Sequence, residues 1–256
     1  GREFTYEMID PVAQQPAATL RAGLDRLSGA GLLFCRGLPP HSSYLFKHAL
    51  VLDAAYGTLL RGRRQELHAR VAAVLEQHFA EVVERQPELL GRHLTLAGLP
   101  AQAVAYWHQA SERAVQRSAN EEAIGHLTAG LTQLHKLPES PDRAKQELTI
   151  QRLLGQANMA ARGYASPGVI QAFSRARELC AVIGGDDSVG PVLFGIWIFG
   201  LTAGDHKDAE TTANELLEWA GRSRNTGARI AANCAVGISS VHLAKLGRAR
   251  EHFDKF

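Results

Sequence analysis

The side chains best suited to chemistry in this sequence are eleven histidines and three cysteines, and their spacing limits what they can do. Histidines three or four positions apart on a helix, or paired cysteines, would be typical of a metal site. No two histidines have that spacing, and Cys35, Cys180 and Cys234 lie far apart. The sequence also contains no G-x-x-x-x-G-K-[ST], G-x-G-x-x-G or G-x-S-x-G motif. We therefore predict no catalytic residues, no metal ligands and no cofactor in this segment.

One histidine has an unusual position. His48 stands where the β-prone run SYLFK ends and apolar residues at helical spacing begin, within SYLFKHALVLDAAY. A histidine at a strand end can donate a ring N–H to a phosphate oxygen, which makes His48 a candidate nucleotide sensor. The alternative is that it only caps the junction between hairpin and helix.

Three arginines, Arg61, Arg63 and Arg64, open the helical stretch GRRQELHARV. They are candidate phosphate contacts, of a nucleotide or of DNA. The alternative is a solvated helix end. A positive charge at the start of a helix interacts unfavourably with the helix dipole. This mild cost is a reason to consider a phosphate partner for the three arginines.

The overall composition excludes several classes of protein. The 256 residues carry 28 basic and 26 acidic side chains, a formal charge of +2, which gives no support for general nucleic-acid or membrane-surface binding. Widely spaced cysteines, odd in number, favour a reducing cytoplasm. No stretch reaches the ~20 apolar residues of a membrane span, so residues 191–204 are better interpreted as a buried helix. The first and last residues suggest a piece of a longer protein.

Almost every region has the apolar periodicity of a helix, and the exception is a predicted hairpin. Its two β-prone runs are Leu32–Arg36 and Ser43–Lys47, separated by a loop with Gly37. A helix, a hairpin and a further helix resemble the end of a winged-helix fold. We predict a mostly α protein, with a truncated winged helix over residues 1–82.

From residue 83 to 256 the chain predicts helix pairs, because small and large residues recur with tetratricopeptide-like (TPR-like) spacing. Alanine and glycine let two helices approach closely, and a large residue fills the gap to the next pair. The partial copies comprise Leu90, Gly91, Leu94, Gly98, Ala103, Trp107 and Ala110, then Ser111, Ala114, Ala123, Leu127 and Gly130, then Leu154, Gly155, Phe173 and Ala176, and last Gly204, Ala209, Ala213 and Leu216. We predict a TPR-like α-solenoid, incomplete at its C-terminus, and the alternative is an irregular helical bundle.

The stretch GGDD at residues 184–187 is similar to the GGDEF signature of cyclic-dinucleotide synthases. It follows a helix ending in ELCAVIGG, where glycine is a usual C-terminal cap, and Asp187 or Ser188 can cap the next helix. We expect a connection between helices there. We also expect the three tryptophans to fill the core or the gaps between repeats.

At FKHALVLDAAY the sequence resembles the MHD-type motif that closes the winged-helix domain of STAND-class signalling ATPases, relatives of LuxR/MalT-type regulators. The block from LDRLSGAGLLF to HARVAAVLE, with the downstream PELLGRHLTLAG and AVAYWHQASERAVQRSANEEAIGHL, resembles the ATPase–TPR module often fused to class III adenylate/guanylate cyclases. The resemblance covers nearly the whole chain.

The resemblance implies that His48 reaches the β-phosphate of ADP and that this contact is lost on nucleotide exchange. The motif has aspartate after its histidine, whereas this chain has Ala49. ATP or ADP with Mg²⁺ would be bound by an NTPase domain upstream of residue 1. The expected partner of the TPR groove is another protein, or the chain's own NTPase or cyclase domain; nucleic acid and membrane are not expected.

Two other functions remain open. A transcription regulator would need a DNA-reading helix, here about residues 16–27, which offers Arg21 and Arg26 against Asp25. A stand-alone TPR scaffold needs only the groove. An enzyme is expected only in the parent protein, as an ATPase fused to a nucleotide cyclase.

Overall fold

The computed structural model describes residues 2–184, 188–223 and 225–255, and these residues form fourteen helices and a three-stranded sheet. The prediction of a mostly α protein is confirmed. The chain divides into two compact units, Gly1–Tyr106 and Trp107–Phe256, and the division falls within α7 (Pro100–Gln116). The predicted domain boundary at residue 82 lies inside the first unit.

The sheet of the first unit contains the predicted hairpin and one further strand. Strands β2 (Leu33–Arg36) and β3 (Ser43–Phe46) pair antiparallel, with Cys35 opposite Tyr44. The added strand, β1 (Glu3–Thr5), pairs with β3 and gives the order β1-β3-β2. Three residues are too few to show the alternation by which a strand is recognised, so β1 was not predicted.

Six helices lie wholly within the first unit: α1 (Tyr6–Ala13), α2 (Ala17–Gly29), α3 (Ala49–Gly57), α4 (Arg61–His78), α5 (Ala80–Arg85) and α6 (Pro87–Ala97). The small core beside the sheet consists of Tyr6, Leu20, Leu24, Leu33 and Tyr44. Leu20 and Leu24 of α2 are thus buried, whereas Leu27 of the same helix is 41% exposed.

The second unit is a run of helices: α8 (Asn120–Leu134), α9 (Pro141–Arg162), α10 (Pro167–Ile183), α11 (Val189–Ala203), α12 (His206–Arg222), α13 (Thr226–His242) and α14 (Leu246–Phe253). From α8 onward each helix packs against the next one in the sequence. This nearest-neighbour packing is solenoid-like. None of the described helices is long and apolar enough to cross a membrane. Residues 191–204 belong largely to α11, which is a helix as predicted but only partly buried: six of its fifteen residues are buried and Phe194 is 41% exposed.

The alanines of the predicted repeats are buried, whereas Gly98 and Gly204 are exposed and cap the C-terminal ends of α6 and α11. Ala103, Ala110, Ala114, Ala123, Ala176, Ala209 and Ala213 are all at most 1% exposed. Gly184 ends α10 in the left-handed conformation, φ 69°, as predicted for a capping glycine. The remainder of the GGDD stretch, residues 185–187, lies outside the described residues. Ser188 precedes α11 but forms no side-chain cap.

Two tryptophans, Trp197 and Trp219, are buried as predicted, whereas Trp107 is half-buried and stacks on His126 with ring centroids 5.6 Å apart. The indole N–H of Trp197 donates to Ser239 Oγ at 2.9 Å. This bond satisfies a buried donor and ties α11 to α13.

The closest helix approaches in the second unit depend on glycine. The ring of Phe173 on α10 lies against Gly155 of α9 and Gly195 of α11. A Cβ at either glycine would stand 2.4 Å or 2.5 Å from the ring. In the same way, a Cβ at Gly190 would stand 2.2 Å from the ring of Trp219. Any larger residue would force these helices apart.

We therefore predict that Gly195→Ala lowers the free energy of unfolding by about 1–3 kcal/mol, because the added methyl group overpacks the Phe173 site. The matched control is Gly125→Ala on α8, where the glycine is exposed and a Cβ would meet nothing within 4 Å. That substitution should stabilise by roughly 0.5–1 kcal/mol through helix propensity. Chemical denaturation measures both variants, and a shift in the same direction for both would contradict the packing argument.

Candidate functional site

His48 occupies the N-cap position of α3, directly after β3. Its backbone is extended, φ −126° and ψ 133°, and its carbonyl accepts the N–H of Val51 at 3.1 Å. The side chain is exposed and forms no capping hydrogen bond. His48 thus caps the start of α3 through its backbone only. Its imidazole takes no part in the cap and is accessible to a ligand.

The helix that follows His48 exposes apolar surface. None of the nine residues of α3 is buried, and Leu50 is 80% exposed. Apolar residues are common on protein surfaces, but a helix without a fully buried side chain is held only weakly by packing, and Val51 and Leu52 are its partly covered residues. Polar contacts at the C-terminal end of α3 add to this packing.

The three predicted arginines have three different environments. Arg64 donates from Nε to the Leu59 carbonyl at 2.8 Å and from a terminal nitrogen to the Gly57 carbonyl at 3.2 Å. Its guanidinium also lies over the ring of Tyr56, 4.8 Å from the centroid. Arg64 thus binds the carbonyl end of α3, where a cation is favourable.

Arg63 pairs with Glu66 at 2.6 Å, and this hydrogen bond lowers the pKa of the Glu66 carboxyl. Arg61 is exposed and pairs with none of the described residues. His48 and the arginines flank opposite ends of α3, about 13 Å of helix. The structure therefore does not place them in one compact pocket, and of the three arginines it is Arg61 that has no partner among the described residues.

A cluster that the sequence did not suggest joins α3 to α4 and α6. The Tyr56 hydroxyl lies 3.0 Å from His68 Nε2, and His68 Nδ1 lies 3.0 Å from His93 Nδ1. The three residues come from three different helices, so a search for histidines three or four positions apart could not find them. We call this cluster the Tyr–His–His relay.

The relay holds two neutral imidazoles. Burial, together with the neighbouring His68, lowers the pKa of His93 to about 4, and burial also lowers the pKa of His68. A hydrogen bond between two Nδ1 atoms needs one N–H and one lone pair, so the two rings take opposite tautomers. No group of three or more His, Cys, Asp or Glu side chains within the described ranges is arranged to hold a metal ion.

In the second unit a groove of about 490 Å³ crosses α9, α11 and α13. Its floor is formed by Phe173, Gly190, Gly195 and Trp219, the residues of the close helix approaches. Phe194 stands on its edge, 41% exposed. No charged side chain lines this groove, so the described lining suits an apolar segment of a partner.

Comparison with known proteins gives a distant relative. No family model matches the chain. It is 24% identical over 239 residues to a curated protein of Rhizobium meliloti strain 1021 named "Uncharacterized protein R02095". The alignment covers 93% of this chain and 23% of that protein.

The depressed pKa of His93 predicts a loss of stability in acid. The unfolded chain binds a proton near pH 6.5 and the folded chain only near pH 4, so stability falls as the pH drops from about 6.5 to 4. After allowance for solvent screening, we expect the loss to be about 1–2 kcal/mol. Denaturation at pH 7 and pH 4.5 measures it.

In this experiment His93→Phe should reduce the pH dependence, because the imidazole with the strongly lowered pKa is removed and only His68 of the relay remains to take up a proton. His78→Phe, at an exposed position at the end of α4, is the matched control and should keep it. Equal slopes in both variants would show that His93 is not the group responsible.

Proposed function

We propose that the chain is the regulatory, protein-interaction segment of a cytoplasmic, multidomain signalling ATPase of the STAND class. Residues 1–82 would form its winged-helix region, and residues 83–256 a TPR-like array. The parent protein would carry the ATPase and would be fused to an adenylate or guanylate cyclase. The observation that carries the proposal is the exposed His48 imidazole at the N-cap of α3, free of internal hydrogen bonds to the described residues.

The element order of the first unit supports the winged-helix part. Strand β1 is followed by α1 and α2, then by the β2–β3 hairpin, with β3 central in the sheet. In this proposal the hairpin would be the wing and α2 the recognition helix. His48 then stands directly after the last strand of the wing.

The exposed apolar surface of α3 supports a role in contacts with another domain. A helix whose nine residues include no buried side chain can change partners at little cost in packing. In the second unit, the uncharged groove supports an apolar protein segment as the partner, supplied by another protein or by another domain of the parent.

For this proposal, the full-length gene product is the test material. It should retain ADP on purification, and His48→Ala should lower its ADP occupancy about tenfold, as for loss of a hydrogen bond to a charged group. His78→Ala is the control because it is also an exposed histidine of the first unit. Chromatography of the released nucleotide measures occupancy; equal occupancy in both variants would remove the sensor role.

A second experiment measures the binding of ADP to residues 1–256 alone. This chain should bind ADP weakly or not at all, because the phosphate loop and the Mg²⁺ ligands would belong to the upstream domain. Salt-dependent binding to random duplex DNA would instead favour the transcription regulator. The structure gives that alternative little support, because Arg21, one of the two arginines that α2 offers to DNA, lies over the ring of Tyr6, 5.7 Å from its centroid.

A further inference from the structure

The first unit contains an apolar cavity of about 620 Å³, within the size range of small-molecule sites. Side chains from β1, β3, α1, α4, α5 and α6 line it, among them Phe4, Ile9, Phe46 and Leu75. Among the described lining residues, two are ionisable, Glu3 and His93. The cavity therefore suits an apolar body with a single polar group.

The cavity wall contains the end of the Tyr–His–His relay, His93, besides the polar residues Glu3 and Thr5 of β1. His93 Nδ1 is bonded to His68, so Nε2 is the ring nitrogen left for a ligand, and it forms no hydrogen bond with the described residues. Since its imidazole is uncharged at neutral pH, it offers a single hydrogen bond and no net charge.

The relay can present either form of His93 Nε2 to the cavity. If Tyr56 donates to His68 and His68 donates to His93, then Nε2 of His93 carries the proton. If both bonds run in the reverse direction, Nε2 is a lone pair. A hydroxyl group both donates and accepts, so it fits the two arrangements equally well.

We propose that this cavity is a binding site for an uncharged amphiphile, an apolar chain with a hydroxyl head that His93 Nε2 engages. A carboxylate head is disfavoured, because at His93 it would exchange its hydration for a neutral imidazole, with no cation among the described lining residues. A cationic head would lose its hydration to gain one exposed carboxylate. This site does not depend on the proposed nucleotide sensing.

Calorimetric titration of the chain with decan-1-ol and with decanoate at pH 7 tests the proposal, because the two probes share the same length of chain. Decan-1-ol should bind saturably, one per chain, and decanoate at least about tenfold more weakly. Equal or tighter binding of decanoate, or the absence of saturable decan-1-ol binding, would overturn the proposal.

Three variants locate the site. His93→Phe keeps an aromatic ring and should weaken decan-1-ol binding about fivefold to tenfold, as for loss of one hydrogen bond. Val82→Trp fills the cavity and should abolish binding, whereas Val83→Trp, the adjacent residue outside the lining, should not. Unchanged binding in Val82→Trp would place the alcohol elsewhere and contradict the proposal.

A measurement on the unmodified protein keeps the proposal testable if a variant fails to fold. The imidazole ¹⁵N resonance of His93 Nε2 should shift on saturation with decan-1-ol, and that of His78 should not. Unshifted His93 resonances at saturation would contradict the contact. Sedimentation velocity adds one more outcome: a dimer that decan-1-ol dissociates would mean that a second copy of the chain, not an amphiphile, occupies the cavity.

Discussion

Aromatic rings resting directly on helix backbone set the geometry of the second unit. Phe173 lies against glycines on both neighbouring helices, and Trp219 lies against Gly190. The dispersion energy of such contacts falls off steeply with separation. One added methyl group, by moving the ring away from the helix, would therefore remove much of this stabilising energy. The order of the helix pairs and the shape of the groove above them follow from the same contacts.

The first unit is held in a different way. Its core beside the sheet is small, and α3 contributes no buried side chain. Instead, Arg64 binds the carbonyl end of α3, and the Tyr56 hydroxyl is hydrogen-bonded to His68 of α4, which in turn is bonded to His93 of α6. Directional polar contacts of this kind fix the position of a helix while leaving its apolar surface open to a partner.

The sequence predicted those features that follow from local spacing. Buried alanines and glycines could be predicted because helix pairs demand small residues at fixed intervals, and the β2–β3 hairpin because its strands flank Gly37. The capping glycine at residue 184 has the same local cause.

The features that were missed are set by tertiary contacts. Strand β1 becomes a strand only because β3 offers it an edge, and the relay unites residues 56, 68 and 93, which share no local pattern. The sequence also could not tell that Arg64 would be occupied by the end of α3 while Arg61 stays exposed. His48 was found from a motif, and its exposure could be read only from the fold.

A helix held mainly by polar contacts, with no fully buried side chain, should open locally far more often than helices whose packing places an aromatic ring against glycine. Hydrogen exchange followed by mass spectrometry measures this difference in the native protein. Amides of α3 should exchange at least about a hundredfold faster than those in the middle of α9, α10 and α11, because local opening exposes no buried side chain. Equal protection of α3 and α10 would mean that α3 is packed into the fold, and would contradict its role as an available surface.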